Sequence, residues 1–511
     1  MKQELKDLMR ADIPLFAEKI QAFDAGEIER KKYKGISGGF GSYPQRNGKH
    51  MLRMRMSGGR LTKERLAFFA KSAEEYGVDR MKLTTCQTIQ LHNLSARAIL
   101  ELMEKAMEVD IITRGGGGDF TRNTMASPLS GVERGEYFDV MPWAEGAGEY
   151  MLGLVRDLKL PRKLKVAFSN SPANIPHATF RDLGFAARED GLFDVYCAGG
   201  LGPNPKLGVK VAEGIAPALV PACIDAMISV FRQFGNYENR AKARTRYLQD
   251  TLGVDGLKAE FAKALEEAKK TSPALSVQAA VVDKAPAGTI AGERVIAQKQ
   301  EGLYAVSYHP KGGNLPVEKP RVLYELIQDM PFVEGRIAPD GTIYFINLTA
   351  EEARKVLSAT QDSACSPFQC SVSCIGGTLC TTGIRDSQGL LAAMLEAVEE
   401  AGLSERALPT VHVSGCPSSC GTQQSGTLGF QGGAKLVDGV SQPAFMLYVK
   451  GCPTQGQEAL GETMGMMLQS EIPAFIVELG RTVDETGLDF HSWLKEHEED
   501  FRALAGKYIG A

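Results

Sequence analysis

The sequence predicts an α+β fold built from a duplicated α/β unit. Two observations carry this expectation. Alternating and 3.6-residue hydrophobic periodicities succeed one another in the same order near the N-terminus and again from Gly302. Each run also places a Gly-Gly turn between its first strand and its first helix. At 511 residues and 43% hydrophobic content the chain has room for several packed domains.

In the first copy HMLRMRM (50–56) reads as a strand and TKERLAFFAKSAEEYG (62–77) as a helix. RMKLTT (80–85) and TIQLHNL (88–94) return to strand, and ARAILELMEKAMEV (96–109) closes the unit as a helix. LPRKLKVAFSN (160–170) and LFDVYCAGGLGPN (192–204) read as strands, and CIDAMISVFRQFG (223–235) and KARTRYLQDTLG (242–253) as helices. The acidic, alanine-rich run 257–273 ends in a proline-marked linker near 270–290, where the main boundary is expected. The second copy runs YAVSYHP (304–310) as strand, a GGN turn, RVLYELIQDM (321–330) as helix, GRIAPDGTIYFINL (335–348) as strand, and AEEARKVLSAT (350–360) as helix. The expected segments are 1–110, 111–275, 276–360 and 361–511.

Composition removes several function classes. A net charge of -4 and a 23% charged fraction give no basic field for nucleic acid, so local Arg and Lys clusters answer to smaller anions. The N-terminal MKQELKDLMRADIPLF has no secretory pattern, and the longest apolar stretch (215–231) holds two prolines and Asp225. A cytoplasmic protein without a membrane span is expected. GGGGD at 115–119 lacks the Gly-Lys-Ser/Thr ending of a phosphate loop, and no dinucleotide fingerprint is present.

Four cysteines in two pairs, Cys374-x5-Cys380 and Cys416-x3-Cys420, carry the most chemistry. Four converging thiolates suit tetrahedral zinc or an iron–sulfur cluster. The unequal spacing, with Pro417 inside the second pair, is not a zinc-ribbon pattern and favours the cluster. A structural four-cysteine site on a non-catalytic binding protein is the alternative of another class. Cys365 and Cys370 are read as non-ligands, and Cys197, Cys223 and Cys452 as structural thiols.

The flanks SCIGGTLC and HVSGCPSSCG resemble those of the ferredoxin-type nitrite and sulfite reductases, which hold a [4Fe-4S] cluster beside a siroheme. The resemblance implies two ferredoxin-like α/β halves around that centre, with 111–275 and 361–511 as the cofactor-binding α/β domains. It makes Cys374, Cys380, Cys416 and Cys420 cluster ligands, Cys420 also binding the siroheme iron. Arg53 in HMLRMRMSGG, Arg122 in GDFTRN, and Lys163 and Lys165 in LPRKLK match the family's basic motifs around the substrate anion. Lys82, Gln87, Gln90 and His92 in KLTTCQTIQLHNL, together with Asn123 and Arg162, occupy positions matching its siroheme contacts. Arg55, Arg60 and Lys206 are read instead as solvated surface charges.

Lys165 directs the choice of substrate, because the family has lysine there in sulfite reductases and asparagine in plant-type nitrite reductases. A second ammonium favours the more negative, pyramidal sulfite. Six-electron reduction of sulfite to sulfide is therefore expected, with nitrite reduction to ammonia as the runner-up. A chain without its own flavin or nicotinamide module takes electrons from another protein, and the resemblance implies ferredoxin. NRAKARTRY (239–247) reads equally as part of its dock or as a solvated helical face. Three departures stand out: Cys86 replaces a family arginine that pairs with a siroheme carboxylate, RIAPDGTIYF replaces a T-x-x-Q-N-like stretch, and GGN (312–314) stands where a basic residue is common.

Overall fold

The computed structural model describes residues 1–510, and its twenty strands fall into four five-stranded sheets. Two of these sheets are the ferredoxin-like copies. The first orders its strands Ser42–Pro44, His50–Met54, Ile89–Leu94, Met81–Leu83 and then Asn314–Leu315; the second orders Val295–Ala297, Tyr304–Tyr308, Ile343–Leu348, Glu334–Ile337 and then Arg60–Leu61. Each sheet thus borrows its last strand from the other copy. Asn314 stands opposite Lys82, and Arg336 opposite Arg60.

The Gly-Gly turns are what direct this exchange. Gly58 and Gly59 (φ 63° and 68°) precede Arg60, and Gly312 and Gly313 (φ 61° and 71°) precede Asn314. A Cβ on Gly59 would meet the Ile337 carbonyl oxygen of the other copy at 2.5 Å, so a side chain there would push the borrowed strand away. Leu52, Met54, Leu91, Val306, Ile337 and Phe345 accordingly share one apolar core. The flanking helices Lys63–Tyr76, Ala96–Ala106 and Ala350–Ala359 begin at Thr62, Ser95 and Thr349, whose side chains accept from backbone N–H groups of the first turn.

The other two sheets repeat one another as well. In one, Met125–Ala126, Val166–Ser169 and Leu183–Ala187 run parallel, and Phe193–Cys197 and Val209–Ile215 continue antiparallel. In the other, Val372–Ser373, Val411–Ser414 and Leu428–Val437 run parallel before Val440–Val449 and Glu462–Leu468. Each has its own core, around Phe168, Phe185 and Phe231 in the first and Phe430, Phe475 and Trp493 in the second. The duplication therefore extends through the whole chain.

Two local expectations change. GRIAPDGTIYFINL is a hairpin of two strands, because Asp340 Oδ1 accepts from Thr342 N at 2.8 Å and Gly341 (φ 96°) closes the turn. KARTRYLQDTLG is not one helix: two single 3-10 turns precede the helix Leu248–Thr271, which is itself broken at Gly253 (φ 70°). Among the described residues no helix is long and apolar enough to cross a membrane.

Candidate functional site

Strand register assembles part of the site. Arg53 lies opposite Gln90, and Gln90 opposite Lys82, so three neighbouring strands present these side chains in one row on one face. With its amide oxygen turned toward Arg53, Gln90 accepts from Nη2 at 2.5 Å and Nε at 3.1 Å. His92 follows two residues later on the same face, 3.2 Å from the Gln90 amide. Burial first, then Arg80, Lys82 and Arg53, depress His92 to about 3, which keeps the imidazole neutral. The Lys82 ammonium donates to the Gly312 carbonyl, and burial lowers it to about 7.

The glycine-rich segment 115–118 joins this row to the next group. Arg53 Nη1 and Arg122 Nη1 donate to the same Gly116 carbonyl at 2.7 and 2.9 Å, and Arg122 Nη2 reaches Gly118 O at 3.0 Å. Lys163 and Lys165 lie just before the Val166–Ser169 strand. Burial, then repulsion from Arg244, Lys165 and Arg122, holds the Lys163 ammonium well below its ordinary range; Cys420 opposes that shift. Burial also lowers Lys165, whose charge is coupled to Cys86, Arg181 and Arg244.

Three residues matched to cofactor contacts have other partners. Gln87 is fully buried; its Nε2 donates to Ala126 O (2.8 Å) and Ile337 O (2.7 Å), and its Oε1 accepts from Ala126 N (2.9 Å). Asn123 Nδ2 donates to Met56 O (2.9 Å) and Cys86 O (3.0 Å), which fixes the loop carrying Cys86. Arg162 pairs with Asp119 at 2.8 Å, and Arg240 pairs with the same carboxylate.

Parallel pairing of Val372–Ser373 with Val411–Ser414 brings the two cysteine loops side by side at the ends of adjacent strands. Cys374 N donates to Val413 O at 3.1 Å, Gly415 N donates to Cys374 Sγ at 3.2 Å, and Ser387 Oγ lies 3.1 Å from the same sulfur. Ile384 and Arg385 N–H groups both donate to Gly415 O at 2.9 Å, closing the 374–380 loop onto the 416–420 loop. Cys416 and Cys420 are each electrostatically coupled to Cys374 and Cys380, and Cys420 to Lys163 as well. Among the described residues no group of three or more His, Cys, Asp or Glu side chains is packed closely enough to hold a single metal ion.

Sequence reasoning missed much of the cationic shell. Arg55, read as a surface charge, is 4% exposed and donates to Arg114 O and Arg122 O; burial and then Arg122 push it down to about 9. Arg60 is half-buried between Glu334 and Glu145, and Lys206 pairs with Asp250. In NRAKARTRY the first four residues, Arg240 and Lys242 among them, are exposed, whereas Arg244 pairs with fully buried Asp182 at 2.9 Å and Arg246 is 3% exposed, so only the first half of the segment is a solvated face. The alternation of K-A-R-T-R was the one available signal. Arg181, buried and unforeseen, flanks Cys86; burial pushes that thiol up, but Lys165 and Arg181 outweigh it and draw it down to about 6.

The donor set fits a polyanionic group. Nε of Arg55, Arg122, Arg244 and Arg246 and Nη2 of Arg181 are buried without an acceptor. Asp182, the carboxylate within this cluster, is already bonded by Arg244, the Lys165 N–H and the Thr245 hydroxyl. Buried guanidinium N–H groups left without acceptors in this way suit an anion of several carboxylates. Siroheme carries carboxylates in that number, and four thiols on two adjoining loops match the donors of a [4Fe-4S] cluster.

Comparison with known proteins finds relatives of one kind. The family model "Nitrite/Sulfite reductase ferredoxin-like half domain" matches residues 43–109, and "Nitrite and sulphite reductase 4Fe-4S domain" matches 117–269. The chain is 27% identical over 465 residues to a ferredoxin–nitrite reductase of Leptolyngbya laminosa, covering 84% of each protein. It is 26% identical to the chloroplastic ferredoxin–nitrite reductase of Zea mays (75% of this chain, 70% of that one). Against sulfite reductase [ferredoxin] 1 of Mycolicibacterium paratuberculosis it is 24% identical, covering 88% and 83%. The solved structure of Mycobacterium tuberculosis NirA shares the fold at a TM-score of 0.77 and 23% identity, over 98% of this chain and 96% of that one.

Proposed function

The chain belongs to the ferredoxin-type nitrite and sulfite reductase family, and from that premise we propose that it is a cytoplasmic enzyme that reduces sulfite to sulfide with electrons from ferredoxin. The observation that carries this reading is the paired ammonium groups of Lys163 and Lys165, set beside Arg122 in a shell where cations outnumber carboxylates. When bound, siroheme supplies the iron that takes the anion, and the [4Fe-4S] cluster supplies electrons one at a time.

Cys374, Cys380, Cys416 and Cys420 would hold the cluster, with Cys420 shared by the siroheme. Arg122, braced on the Gly116 and Gly118 carbonyls, keeps its buried Nε–H without an acceptor, and Arg53 is held beside it by Gly116 O and Gln90, so that both guanidinium groups face an anion with their charge. Lys163 and Lys165 act as proton donors. Burial and the neighbouring cations make both ammonium groups give up a proton more readily than a free lysine, as each breaking S–O bond requires. In sum, sulfite takes up six electrons and six protons to give sulfide and three waters.

Nitrite reduction to ammonia is the second reading, favoured by the Leptolyngbya and maize relatives, which are named nitrite reductases. Steady-state turnover of sulfite and nitrite by the purified protein with reduced ferredoxin separates the two. Isobacteriochlorin absorption with about four cluster irons per chain is expected. A colourless preparation containing zinc would instead support the non-catalytic four-cysteine protein.

A further inference from the structure

Position 86 offers a thiol where the resemblance implies a guanidinium, yet its surroundings are those of the cofactor site. Cys86 packs on Met125, Ala167 and Ala178. Its carbonyl is held by Asn123, and the hydroxyl of the preceding Thr85 donates to Cys420 O at 2.9 Å. A thiol supplies neither a positive charge nor a fork of donors, so a carboxylate arriving here needs another partner.

Three residues beyond Ala178 lies Arg181, at the end of the single 3-10 turn Ala178–Phe180. It is 5% exposed, its Nε donates to Pro176 O at 3.0 Å, and its Nη2 is buried with no acceptor. The adjacent Asp182 gives it no hydrogen bond, because that carboxylate is bonded by Arg244, the Lys165 N–H and Thr245. A buried guanidinium nitrogen without an acceptor calls for an anionic partner that the chain itself does not supply.

We propose that Arg181, three residues from the Ala178 on which Cys86 packs, holds a carboxylate of the siroheme where the resemblance implies a guanidinium at position 86. The assignment rests on the siroheme reading above. It also accounts for the small side chain at 86: an arginine there, together with Arg181 and Lys165, would crowd three cations around one carboxylate.

The test measures siroheme and cluster iron per chain in purified holoprotein. Arg181→Ala should retain the cluster and the fold by circular dichroism while siroheme occupancy falls about tenfold. Cys86→Arg combined with Arg181→Ala should restore most of the siroheme, because a guanidinium is then supplied from position 86. Full siroheme in Arg181→Ala, or a double variant no better than the single one, overturns the assignment. A wild-type protein that purifies with cluster and no siroheme overturns the underlying functional reading instead, and is distinguished by that result alone.

Discussion

The Thr85 hydroxyl donates to the Cys420 carbonyl at 2.9 Å, joining the first ferredoxin-like sheet to the last of the four paired cysteines across 335 residues of chain. The loop that carries Cys86 is thereby fastened to the loop proposed to bridge cluster and siroheme. Cys420→Ser is expected to lose the coupled absorption of the two cofactors and all turnover, because a hydroxyl is a poor bridging ligand for iron. Cys365→Ser and Cys370→Ser should leave iron and sulfide content unchanged. Iron loss in either of these two variants would place Cys365 or Cys370 among the cluster ligands instead.

Gln87 gives a prediction about stability. Its amide satisfies three buried backbone groups, and Ile337 among them belongs to the second copy. Gln87→Leu leaves those groups without partners, so the apoprotein should lose about 3 kcal/mol or more in denaturant unfolding. A loss under about 1 kcal/mol, with siroheme occupancy reduced instead, would return Gln87 to the cofactor-contact role suggested by its motif.

The sequence exposed the repeated elements because each is amphipathic at its own period, and it exposed Arg53, Arg122, Lys163 and Lys165 because short motifs surround them. Strand exchange between the copies was hidden, since Arg60–Leu61 and Asn314–Leu315 are two residues long and carry no periodic signal. Arg55, Arg181 and Arg246 were hidden for another reason. Nothing local distinguishes a solvated arginine from one buried by the fold, and Arg55 and Arg246 find their partners 43 to 67 residues away. GRIAPDGTIYFINL was misread because its apolar residues sit on both sides of the Pro-Asp-Gly turn, which outweighs them.

His92 predicts a pH dependence. Its folded value of about 3 lies below the ordinary 6.5, so the unfolded chain binds the extra proton between those limits and stability falls as pH drops from 6.5 toward 3. At pH 4 the loss due to this residue is on the order of 3 kcal/mol. His92→Gln, which keeps a hydrogen-bonding side chain without a titrating group, should flatten the melting temperature between pH 7 and 4. Parallel curves for the two proteins would mean that His92 is solvated in the protein as it folds in solution.

Lys165 decides the substrate if a single residue does. Lys165→Asn removes one positive charge beside the bound anion and keeps a donor, so sulfite turnover should fall while nitrite turnover is spared or raised. A hydrogen bond to a charged group is commonly worth about 1.5–3 kcal/mol, which corresponds to about tenfold or more in the ratio of kcat/KM for sulfite over nitrite. The Lys165 N–H donates to Asp182 through the backbone, a contact the substitution leaves in place, so a change in the ratio reports the ammonium and not the loop. An unchanged ratio would remove the charge argument for sulfite and leave nitrite, the substrate in the names of the Leptolyngbya and maize relatives, as the better assignment.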